Sequence, residues 1–156
     1  MTTDNKRQWL RKKGEEILIK EMAEYLSGCP YLDKAGIKIN YLDGKPLAFS
    51  LKMLPVEPVV KRYADGGAVC EAQFLLSFRQ EYSRAEAGNR AAAELCENVE
   101  AWICDQNNKG MLPDLGQEAT PLSLAVAKSF GITPSGGIDA RFEATLRLNY
   151  FARYVG

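Results

Sequence analysis

The chain has 156 residues, 46% of them hydrophobic and 26% charged, which suits one domain able to bury a core. Twenty Lys and Arg balance twenty Asp and Glu, and a net charge of zero argues against a general nucleic-acid binder, which needs excess positive charge to displace counterions from phosphate. Histidine is absent, which removes Ser-His-Asp and Cys-His catalysis, an imidazole base and His-ligated zinc, and leaves only carboxylate, Lys, Tyr or Cys chemistry.

In chain order, helical periodicity comes first, from about Asp4 to Ser27, with Leu10, Ile17, Leu18, Met22, Tyr25 and Leu26 in the apolar stripe. Gly28, Cys29 and Pro30 end it. Lys6, Arg7, Arg11, Lys12 and Lys13 crowd its start, where cations oppose the helix macrodipole. Either the packed helix begins nearer Gly14, with Glu15 and Glu16 in its first turn, or the basic stretch meets an acidic partner. Residues 1–13 are read as a basic N-terminal extension or frayed helix start, and 14–156 as a single domain.

A strand-rich block follows. Ile37 to Tyr41 reads as a short strand, Asp43-Gly44 as a hairpin turn, and Leu47, Phe49, Leu51 and Met53 as the apolar face of a second strand. Pro55 and Pro58 mark a loop or edge, and Val56 to Arg62 a projecting arm. Ala64-Asp65-Gly66-Gly67 is a second turn. Ala68, Cys70, Ala72, Phe74, Leu76 and Phe78 then alternate with polar residues, so one strand face meets the core.

Ser83-Arg84-Ala85-Glu86 fits a capping box opening a helix to about Asn108, with Ala92, Leu95, Val99, Trp102 and Ile103 inward. Thr120 to Phe130 reads as a strand with Leu122, Leu124 and Val126 on one face, and Gly131 and Pro134-Ser135-Gly136-Gly137 as turns. From Ile138 to Val155 an apolar series from Ala140 to Tyr154 alternates with a series that is polar except at Phe151 and Val155. At roughly 3.3 Å per residue such a strand spans about 60 Å. A small sheet is hard pressed to pair that length, so a bulge, or pairing with another copy, is expected. The order of elements gives an α+β domain, a mostly antiparallel sheet with two main helices packed on one face.

Catalytic signatures are missing from this pattern. Cys29, Cys70, Cys96 and Cys104 form no C-x-x-C unit and read as free thiols of a reducing cytoplasm. The start Met1-Thr2-Thr3-Asp4 leads into charge rather than an apolar signal region, and the apolar runs are too short to span a membrane. There is no phosphate loop, dinucleotide fingerprint or nucleophile elbow. Acids and bases interleave along Asp139, Arg141, Glu143 and Arg147, which reads as a solvated or subunit-facing surface rather than an acid–base pair. An assembly role is favoured over an enzyme; a small-ligand-binding or enzymatic α+β domain is the alternative of another class.

Three stretches, taken together, carry a resemblance. They are Ser27-Gly28-Cys29-Pro30-Tyr31-Leu32, the run from Val99 through Trp102, Asn107, Asn108, Gly110 and Pro113 to Leu115, and the closing strand from Ile138 to Tyr150. In order and spacing they resemble small prophage proteins of Gram-positive bacteria, encoded among head and tail genes and often labelled minor capsid protein. Tyr41, the Phe49-to-Met53 strand and Lys61 to Gly66 also fit. These proteins are similar in size and layout to phage tail terminators. The resemblance implies a tail-terminator-like fold and a homo-oligomeric ring, usually a hexamer, that caps the tail tube. Its partners would be the tail-tube protein and a neck or connector protein; another head–tail connector or minor capsid role is the near alternative.

The resemblance brings no catalytic residue, cofactor or metal, and no nucleic-acid or membrane partner is expected. Contact candidates come from the sequence itself: Lys61, Arg62 and Tyr63 on the arm; Arg79, Glu81 and Tyr82 where the strand from Ala68 ends; and Arg141, Glu143 and Arg147 on the polar face of the last strand. The arm from Pro55 to Gly67 is expected to be mobile in free monomers and to order on assembly.

Overall fold

The computed structural model of the chain describes residues 16–32, 37–39, 49–81, 86–134 and 139–153. They form a helix over 16–26 (α1), strands Ile37–Ile39 (β1), Phe49–Leu54 (β2), Val59–Arg62 (β3) and Ala68–Glu81 (β4), a helix Glu86–Asn108 (α2), and strands Ala119–Pro134 (β5) and Asp139–Ala152 (β6). The sheet has six strands in the order β1-β2-β4-β6-β5, with β3 also paired to β4. All pairs are antiparallel except β1 with β2. The architecture is α+β, as the order of elements predicts.

Alternation explains the centre of this sheet. β4 and β6 pair without a break from Ala68 opposite Ala152 to Glu81 opposite Asp139. Side chains of successive strand residues point to opposite faces. The even-numbered residues from Ala68 to Phe78 and from Ala140 to Leu148 are therefore buried together. Ile19, Met22, Ala23 and Leu26 of α1 and Ala92, Cys96, Val99 and Ile103 of α2 join the same core. Both helices thus cover one face. Phe78 sits at the middle, stacked on Phe142 at 4.9 Å and touching Phe49 at 5.1 Å and Phe130 at 5.6 Å between ring centres. Trp102 packs against the core and tilts on Tyr25 at 5.5 Å, whose hydroxyl donates to the Met111 carbonyl.

The C-terminal end of α2 follows its sequence signal. The helix starts at Glu86, while Ser83 of the capping box lies outside the described residues. At its other end Gly110 adopts φ +71°, Gly110 N–H donates to Asn107 O and Met111 N–H to Gln106 O. That pair of bonds is the Schellman arrangement, which satisfies carbonyls the helix leaves open. Asp65-Gly66-Gly67 likewise forms its turn: Gly66 has φ +95°, and Gly67 N–H donates to the Asp65 carboxylate.

Five expectations need correction. Asp43-Gly44 lies outside the described residues, but the strands flanking it pair in parallel, Ile37 opposite Phe49, which a tight hairpin turn cannot produce. The arm is a strand, not a projection: β3 lies along β4, with Arg62 opposite Ala68, and Pro58 O accepts from Glu71 N–H. β2 and β3 thus lie end to end along β4, interrupted at the prolines, which supply no N–H. Leu122 is 49% exposed, because the ladder steps from Pro121 to Ser123 and leaves it as the extra residue of a bulge; Leu124 and Val126 return to the core side. Gly131 is not a turn but lies in β5, opposite Glu143. Finally, the small sheet does pair the long closing strand: β4 flanks it from Asp139 to Ala152 and β5 from Ala140 to Ala152, while Ile138, Tyr154 and Val155 lie outside the described residues.

The outer strand β5 is held by the helix beside it. Leu124 N–H donates to Asn107 Oδ1 at 2.9 Å and Phe130 N–H to Glu100 Oε1 at 3.2 Å. Two backbone groups of an edge strand thereby find acceptors on α2.

Candidate functional site

The same alternation that buries one face of β4 and β6 sets the odd-numbered residues on the other. This face is half-buried or exposed except at Ser50 and Ser77, which oppose each other across β2 and β4. It gathers most of the contact candidates. Arg79 stands directly opposite Arg141, and Ser77 opposite Glu143. Arg141 Nη1 lies 3.5 Å from Glu143 Oε1. Arg79 Nε is buried without a hydrogen-bond acceptor. Two arginines therefore stand directly opposite each other in the register, and the Glu143 carboxylate pairs with Arg141. Like charges directly opposed across strands are destabilising.

Further along the ladder, Arg147 Nε approaches Glu71 Oε1 at 3.9 Å, and Gln73 Nε2 donates to Glu71 Oε2 at 3.1 Å. Asn149 Nδ2 donates to Ser123 Oγ. At the far end Lys61 Nζ sits 5.3 Å from the centre of the Tyr63 ring, which packs on Phe151 at 6.0 Å. Phe151 in turn comes so near the backbone that a Cβ on Gly67 would meet its ring at 2.5 Å. Partly exposed ion pairs such as these contribute about 0–1 kcal/mol to folding. The fold does not depend on them, and their charges are open to a partner.

The face thus unites Lys61, Tyr63, Arg79, Arg141, Glu143 and Arg147. Arg62 is exposed and stands apart, opposite Ala68 on the helix side of the sheet. Tyr82 lies outside the described residues, as does the side chain of Glu81, whose backbone pairs with Asp139. Glu94, Glu97 and Glu100 of α2 were not among the contact candidates. Their signal was present as three carboxylates at helical spacing, but its weight depends on where α2 sits.

A cleft of about 230 Å³ opens between α2 and the end of β5, lined by Ala93, Cys96, Glu97, Glu100, Phe130, Ile132 and Phe142. Small-molecule sites usually enclose about 300–1,000 Å³. Burial, and then the Glu100 and Glu97 carboxylates, push the Cys96 thiol up to about 12. It stays protonated at neutral pH, whereas nucleophilic chemistry needs the thiolate. Burial also raises the Cys29 and Cys70 thiols, while Cys104 is exposed. Among the described residues no group of three or more Cys, Asp or Glu could hold a metal ion, and no helix is long and apolar enough to cross a membrane. No family model and no curated protein matches the chain.

Proposed function

We propose that the chain is the tail terminator of a phage or phage-tail-like particle. Copies form a ring on the head-proximal end of the tail tube, stop its polymerisation and offer a docking surface to the neck. The protein works in the bacterial cytoplasm during assembly and ends in the tail or neck of the particle. The role is structural and needs no cofactor.

The observation that supports this reading is the open sheet face, where charges of both signs interleave on a rigid ladder while the opposite face is sealed by helices. A ring built by rotation joins two different surfaces of each copy, and a domain with unlike faces supplies them. The resemblance of the three sequence stretches gives the reading its specific biology. Mass measurement in solution, with and without the tail-tube protein, tests it. Closed oligomers of uniform size are expected; a strictly monomeric chain in both conditions would overturn the proposal.

A further inference from the structure

Building on that reading, we infer that neighbouring copies meet head to tail, the outer surface of α2 on one copy seated on the open sheet face of the next. α2 carries Glu86, Glu94, Glu97, Glu100 and Asp105 against Arg90 alone. Glu94 and Glu97 are exposed one turn apart, and neither forms an ion pair among the described residues. Asp105 is neutralised by Lys109 at 2.8 Å. Ala93 and Ala101 beside the two glutamates are small and exposed, so the acidic stripe is flat enough to approach another surface.

The sheet face has the opposite sign. Among its described side chains Lys52, Lys61, Arg79, Arg141 and Arg147 outnumber Glu71 and Glu143. Both carboxylates are engaged, by Arg147 and Arg141, and among the described residues no ion pair is formed by Arg79, whose buried Nε has no hydrogen-bond partner. The Glu81–Asp139 backbone pair closes the same end of the ladder. A carboxylate arriving beside Arg79 and Arg141 relieves the repulsion between them. Contact of this face with its own copy would set arginine against arginine, which disfavours a two-fold dimer. The sizes also suit: α2 is about 34 Å long at 1.5 Å per residue, and β4 about 46 Å at 3.3 Å per residue. Because α2 covers the core face, its outer surface and the open face are different sides of the domain, as a head-to-tail contact requires, and a rotation between successive copies closes such a contact into a ring.

Charge reversal tests the pairing. Arg141→Glu with Arg147→Glu reverses the sheet face, and Glu94→Arg with Glu97→Arg reverses the helix face. Each double variant is expected to weaken association about tenfold or more, and the quadruple variant to recover it. Thermal melting of each variant confirms that the fold is retained. If wild type assembles but neither reversal changes its mass distribution, or the quadruple variant is no better than the doubles, this pairing is wrong while the ring reading stands. A wild type that never assembles, alone or with tail-tube protein, overturns both.

Discussion

Phe78 and Arg79 are neighbours in sequence and opposites in role. Phe78 is buried among three other aromatic rings; one residue on, Arg79 lies on the other side of the sheet, opposite another arginine. The same holds along β6, where Phe142, Leu146 and Leu148 face the helices and Arg141, Glu143 and Arg147 face out. The contrast separates two kinds of energy. Apolar burial contributes roughly 1.5–3 kcal/mol per large side chain and fixes the fold. Exposed charges contribute little to folding but decide what the surface accepts. A strand can carry both because its side chains alternate.

The hardest test of the contrast is Phe78→Ala, which should cost about 3–5 kcal/mol in denaturant unfolding. A loss below about 1 kcal/mol would mean that the core is not centred there. The buried thiols come next. Their folded pKa values lie above the ordinary 9.0, so burial favours the protonated folded chain. That contribution is full below about pH 9 and is lost as pH rises through the folded value, about 12 for Cys96. Stability measured at intervals above pH 9 should fall, and Cys96→Ala should flatten the fall. Asn107→Ala removes the acceptor of Leu124 N–H and should cost about 1–2 kcal/mol. Arg147→Glu is the smallest change to the fold, within about 0.5 kcal/mol, yet it should weaken assembly. A large stability loss in that variant would show that the two faces are not separable.

Much of this was legible locally. Alternation marked both long strands, the helical stripe marked α2, and Asp65-Gly66-Gly67 marked its turn. Features set by a partner strand were not. Nothing in Ile37 to Ile39 says that it runs parallel to β2. Leu122, Leu124 and Val126 share a two-residue period, and only the pairing to β6 shows that a bulge removes the first from the series. The length of β6 looked excessive because its matching partners are read from β4 and β5, not from β6. The site divides in the same way. Membership of one polar face was visible for Arg141, Glu143 and Arg147, but the confrontation of Arg79 with Arg141 exists only in the register.

The bonds from Asn107 and Glu100 to β5 have a meaning beyond stability. A bare sheet border is a template onto which another chain can crystallise, strand after strand, with no natural end. With α2 bonded to this one at two points, and only the short strands β1 and β3 bordering the other side, indefinite stacking is discouraged. Growth is left to the broad surfaces, where rotation between copies can bring the last back to the first. In the ring proposed above, the helix that roofs the core would therefore also help the assembly close into something finite rather than spin out a fibre.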